Sequence, residues 1–157
     1  GPGNLNIRIP WYSEKCECVQ NGISIEIQPE KGYQRLSISP GDTYISMDGR
    51  GVFQFAVKSV PQVVTEVLEK ALLTTDDIDW FILHQANQRI VESVAKRLKT
   101  DIERFPMNLQ EYGNTSSASI PILLDEMNRD GRLKRGQKII IVGFGAGLAW
   151  GASILEW

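Results

Sequence analysis

The amino-acid sequence predicts an α/β fold: a mostly parallel sheet with a terminal antiparallel strand and helices packed on it. Three observations carry this. Segments with a 3.6-residue apolar period alternate with short continuous apolar runs, the pattern of buried strands between helices. The last two strand-like runs are separated only by a glycine-rich turn, which suits an antiparallel pair. The chain has 157 residues, 42% hydrophobic and 23% charged, enough to bury one core.

The elements follow in order. Residues 1–20 have no clear period and form an irregular opening stretch, in which Gly1-Pro2-Gly3 looks like an expression scar. The domain is expected over 21–157. From Asn21 to Pro29, Ile23, Ile25 and Ile27 alternate with Ser24, Glu26 and Gln28, a half-buried strand. Residues 30–42 read as a loop, and Thr43–Met47 as a short strand. A helical pattern runs from Gly51 to Leu72, with Pro61 placed to kink or restart it. Thr74–Asp77 breaks the pattern. Trp80–Leu83 is a buried parallel strand. From Ala86 the helical period returns, with Ile90, Val94 and Leu98 as its stripe. Phe105–Leu109 reads as a short strand and Asn114–Arg129 as a helix; Pro121 fits its early part if it starts near Ser117. Lys138–Val142 is a continuous buried strand, Gly143–Gly147 a tight turn, and Leu148–Trp157 the closing strand.

Composition narrows the function. A net charge of −2 argues against general nucleic-acid binding. No apolar run approaches the roughly 20 residues of a membrane span, and no signal peptide is visible. Cys16 and Cys18 lack the additional ligands a metal site needs, and a disulfide across one residue would be strained. Two reduced thiols fit a cytoplasmic location.

Gly143-Phe-Gly-Ala-Gly147 follows a strand, but its glycine spacing is wrong for a dinucleotide loop and a strand-like segment follows it. It is either a plain hairpin turn or one that brings backbone N–H groups close to a ligand. His84, the single histidine, is either a satisfied core residue or a site residue. It lies at the carboxyl end of an apparent parallel strand, where open α/β sheets place ligands. Asn114 offers a matching amide, and the two N–H groups can converge on one carbonyl oxygen where negative charge develops. Arg89, Lys96, Arg97 and Lys99 are either a solvated helix face or a docking surface for an acidic partner.

Taken together, Asp79-Trp80, His84-Gln-Ala-Asn-Gln-Arg-Ile90, Tyr112-Gly-Asn-Thr-Ser-Ser-Ala-Ser-Ile-Pro121, Asp125-Glu126 with Gly131-Arg132, and Gly143-Phe-Gly-Ala-Gly-Leu-Ala-Trp-Gly-Ala152 resemble the C-terminal half of the β-ketoacyl-acyl carrier protein synthase III family of the thiolase superfamily. The resemblance runs from about Gly22 to Trp157. It implies a thiolase-like half and a decarboxylating condensation of acyl-CoA with malonyl-acyl carrier protein in fatty-acid or polyketide synthesis. It makes His84 and Asn114 two members of a Cys-His-Asn triad and the Ala146 N–H part of an oxyanion hole. Gly49, Phe53, Ala86 and Asn87 resemble the lining of the pantetheine tunnel. Arg89, Lys96 and Arg97 resemble the carrier-protein docking helix, although Gln54 stands where some relatives have lysine. No cofactor is implied beyond coenzyme A and phosphopantetheine as substrate carriers.

The family's nucleophilic cysteine belongs to an N-terminal half that this chain does not contain, and neither Cys16 nor Cys18 has its setting. The chain alone is therefore expected to be inert, with partners in the missing half, an acyl carrier protein and acyl-CoA. Half of a two-half fold should expose an apolar face, so self-association or pairing is also expected. A non-catalytic carrier-binding or assembly module and a non-decarboxylating acyltransferase are the competing classes.

Overall fold

The computed structural model describes Met47–Trp157 and, in backbone, two short strands before it. Those strands, β1 (Cys16–Cys18) and β2 (Ile25–Ile27), pair antiparallel with Cys16 opposite Ile27. They belong to a unit ending at Asp48, separate from the unit Gly49–Trp157. The expected loop over 30–42, most of the strand expected over Thr43–Met47, and the thiols of Cys16 and Cys18 lie outside the described residues.

The second unit has three layers. Its sheet has the order β3-β4-β5, from β3 (Trp80–Leu83), β4 (Lys138–Gly145) and β5 (Ala149–Glu156). β3 and β4 are parallel, with Leu83 opposite Val142; β4 and β5 are antiparallel, with Gly145 opposite Ala149. The two-residue alternation explains why β3 and β4 are almost continuously apolar. Phe81, Leu83, Ile140, Val142 and Phe144 join one core with helices α1 (Gly49–Ala71) and α2 (Gln88–Leu98). Ile82 and Ile139 join a second core with Leu123 and Met127 of α4 (Ser119–Arg129). β3 and β4 are thus covered on both faces, whereas no residue of β5 is fully buried.

α1 buries Ala56, Val57, Val60, Val64 and Leu68, one stripe at three- and four-residue steps. It runs through Pro61 as a single helix and does not restart there. Packing of the residues on both sides outweighs the cost of about 3 kcal/mol that an internal proline carries. α2 begins at Asn87, whose side-chain oxygen accepts from the Arg89 N–H at 2.8 Å. It ends at Lys99, which takes the left-handed conformation, while the Thr100 N–H returns to the Ala95 carbonyl.

The strand expected at Phe105–Leu109 does not form. Ile102–Arg104 is a 3-10 turn capped by Asp101, and α3 (Leu109–Tyr112) is a short helix. Phe105 is buried and stacks on Phe81 with ring centroids 4.7 Å apart. The Arg104 guanidinium donates to the carbonyls of Thr75 and Ile78. The apolar residues that imitate a strand are core plugs, and Pro106 has no N–H for a ladder. Backbone polarity here is met by a side chain: the Asn108 N–H donates to the Gln85 Oε1 at 3.2 Å.

Two further boundaries differ. α4 starts at Ser119 after a 3-10 turn over Ser116–Ala118, not at Asn114. β4 continues through Gly145, so the turn is confined to residues 146–148. Gly147 has φ 135°, and a β-carbon there would lie 3.0 Å from the Ala149 nitrogen, so only glycine fits this reversal.

Candidate active site

His84 directly follows β3 and extends its ladder, its N–H donating to the Val142 carbonyl at 2.8 Å. The alternation that sends Phe81 and Leu83 toward α1 and α2 sends residue 84 toward α4. There Nδ1 lies 2.7 Å from the Oγ of Ser119, the first residue of α4. The same Oγ accepts the Gln85 N–H at 3.2 Å. The imidazole meets Phe144 edge-on, with centroids 5.3 Å apart. Burial pushes its pKa down from the ordinary histidine value, which favours the neutral ring at pH 7. A neutral ring has one N–H donor and one acceptor nitrogen.

The chain after His84 turns tightly. The Ala86 N–H donates to the His84 carbonyl at 2.9 Å, and Asn87 caps α2. Gln85 is fully buried beneath this turn, its amide donating to the Leu83 carbonyl at 2.9 Å. Asn108, also buried, donates from its amide to Glu126 of α4 at 2.9 Å. Gln85 and Asn108 therefore tie the end of β3 to the 105–108 segment and on to α4.

Asn114 is exposed between α3 and the turn that leads to Ser119. Its Oδ1 accepts the Ser116 N–H at 2.9 Å, which fixes the side chain and leaves its Nδ2 amide without a hydrogen bond among the described residues. Ala146 is exposed in the β4–β5 turn. Neither Asn114 nor Ala146 hydrogen-bonds the imidazole among the described residues.

Gly49 opens α1, and Phe53 lies one turn along it, half-buried. The guanidinium of Arg89 sits 5.8 Å from the Phe53 ring centroid, a cation–π pair across the starts of α1 and α2. Two residues assigned separately to tunnel lining and to docking therefore touch. Lys96 and Arg97 are exposed in the last turn of α2, where positive charge also suits the helix dipole.

Ser119, Gln85 and Asn108 were not singled out by sequence reasoning. Ser119 closes a polar break and falls inside the helix expected over Asn114–Arg129, and Gln85 counts only as a polar neighbour of His84. A polar residue directly before an apolar helical stripe was the available signal for Ser119.

Fold and site define an α/β domain that presents a neutral imidazole at the carboxyl end of a parallel strand. The family described as 3-oxoacyl-[acyl-carrier-protein (ACP)] synthase III C terminal matches residues 68–157, and the chain belongs to it. The chain is 49% identical over 137 residues to the β-ketoacyl-[acyl-carrier-protein] synthase III of Synechocystis, covering 86% of this chain and 41% of that protein. It is 56% identical over 113 residues to the chloroplastic enzyme of that name from Arabidopsis thaliana, covering 72% of this chain and 28% of that protein. The crystal structure of 3-oxoacyl-[acyl-carrier-protein] synthase III from Aquifex aeolicus superposes with TM-score 0.71 at 46% identity, covering 73% of this chain and 37% of that one. The priming β-ketosynthase of the R1128 polyketide pathway gives TM-score 0.67 at 38% identity, covering 71% of this chain and 34% of that one. The chain thus spans well under half the length of these relatives, as the C-terminal part of a condensing-enzyme fold.

Proposed function

We propose that the chain is the C-terminal catalytic half of a decarboxylating Claisen-condensing acyltransferase, converting acyl-CoA and malonyl-acyl carrier protein to a 3-oxoacyl-acyl carrier protein. The observation that carries this is His84: a neutral imidazole at a strand end, with Nδ1 occupied by Ser119, in a chain of the synthase III family. A nitrogen not used internally can donate to a ligand oxygen.

In this reading, Nε2–H of His84 and Nδ2–H of Asn114 hydrogen-bond the thioester oxygen of the malonyl group. The C–C bond to the carboxylate breaks, carbon dioxide leaves, and its electron pair forms the enolate that the two donors stabilise. The enolate carbon attacks the acyl group on a cysteine of the N-terminal half and releases the thiolate. The Ala146 N–H contributes to the oxyanion hole of that acyl thioester. Gly49, Phe53, Ala86 and Asn87 line the path of the pantetheine arm, while Arg89, Lys96 and Arg97 dock the acidic carrier protein. No cofactor is needed beyond the thioester carriers, and the protein works in the cytoplasm as an oligomer, without nucleic acid or membrane.

The experiment is reconstitution. The pure chain should neither decarboxylate malonyl-acyl carrier protein nor transfer acyl groups, and co-expression with an N-terminal half that carries the cysteine should restore both. Binding of carrier protein without turnover in the reconstituted pair would instead establish a non-catalytic docking module.

A further inference from the structure

We propose that Ser119 is a positioning residue that fixes the tautomer of His84, placing the ring proton on Nε2 and the lone pair on Nδ1. A serine hydroxyl has one proton to give and two lone pairs to receive with. The Gln85 N–H uses one lone pair at 3.2 Å. Ser119 is only 2% exposed, so its proton must find an acceptor inside the protein. Among the described residues that acceptor is Nδ1 of His84, 2.7 Å away.

The opposite assignment fails on proton count. With the proton on Nδ1, the Ser119 oxygen would receive two donors and its own hydrogen would be stranded in a buried site. A neutral ring holds one proton, and the serine directs that proton to Nε2. The Gln85 backbone thereby orients the hydroxyl and the hydroxyl orients the ring. An isolated imidazole interchanges both tautomers; here the arrangement is set before any ligand arrives. Its catalytic consequence rests on the proposed donor role of His84, whereas the tautomer follows from the Ser119 contacts of the neutral ring.

The single histidine makes the test direct. The 157-residue chain is labelled with 15N-histidine, and its ring nitrogens are read by NMR at pH 8. Nε2 couples strongly to both ring carbon-bound protons and Nδ1 to one, which assigns them. The expected result is a protonated-type Nε2 and an unprotonated-type Nδ1. In Ser119→Ala the two nitrogen shifts should move toward each other as the tautomers mix, and Ser119→Thr should restore them. A proton on Nδ1 in the wild-type chain, or unchanged shifts in a folded Ser119→Ala chain, overturns the proposal. If Ser119→Ala does not fold, the wild-type assignment decides alone. Failure of the condensing reading would leave this spectrum unchanged, so the two can fail separately.

Discussion

Nδ1 of His84 and Oγ of Ser119 lie 2.7 Å apart although 35 residues separate them in the chain. One follows a strand and the other starts a helix on the opposite side of a crossover. Their contact brings the end of β3 and the start of α4 together, and it occupies one imidazole nitrogen from within the protein.

If His84 is a charge-stabilising donor, its loss should be felt in turnover more than in binding. In the enzyme reconstituted with an N-terminal half, His84→Ala should lower the rate of malonyl-thioester decarboxylation by about 100- to 1000-fold, the range for removal of one such donor. Acylation of the cysteine should be affected far less. Equal loss in both half-reactions would remove the assigned role.

Asn114 is exposed and anchored through its Oδ1 to the Ser116 N–H. Asn114→Ala removes the amide donor together with this anchor. Asn114→Asp keeps the acceptor and removes the donor. Both should depress decarboxylation, and the aspartate should be the worse because it sets a negative charge beside a forming enolate. Retained activity in Asn114→Asp would show that the anchor alone matters.

Burial lowers the His84 pKa, and this fixes the sign of a stability effect. In the unfolded chain the imidazole titrates at about 6.5. Above that pH both states hold a neutral ring and folding carries no protonation penalty. As pH falls through 6.5 the unfolded chain takes up the proton first, and stability is lost until the lower folded pKa is passed. Urea midpoints should therefore fall between pH 7.5 and pH 5, and fall less steeply in His84→Asn. Parallel curves would exclude His84 as the source.

Gln85 satisfies the Asn108 N–H and caps the Leu83 carbonyl in a fully buried position. Gln85→Leu fills the space and leaves those groups unpaired. It should destabilise the fold by about 1–3 kcal/mol, measured by urea unfolding. Wild-type stability would mean that water or a backbone shift replaces the amide.

Arg89 touches Phe53 through its guanidinium, 5.8 Å from the ring centroid. Arg89→Ala should weaken carrier-protein binding, chiefly through a slower association rate that loses part of its salt dependence. Arg89→Lys keeps the charge but packs less well on the ring, and should recover association more than residence time. Surface-plasmon kinetics at two salt concentrations separate these; no change in association rate in Arg89→Ala would count against a docking role.

The sequence by itself determined the strands β3, β4 and β5, the stripes of α1 and α2, and the position of His84 at a strand end. Those features are local: period two, period 3.6 and continuous apolar runs are written in residue order. The resemblance singled out His84, Asn114 and Ala146 because their spacing repeats a family pattern. Tertiary structure decided the rest. Phe105–Leu109 has a strand's composition, yet Phe105 stacks on Phe81 and the Gln85 side chain takes the backbone bond a neighbouring strand would have made. Pro61 stays within a helix because the core on either side holds it there. Ser119 reads as an ordinary polar residue in the first part of a helix until the packing of α4 against the end of β3 brings it to His84. Hydrophobic period can tell which face of an element is buried. Which polar group meets which across the core is set only when the layers close.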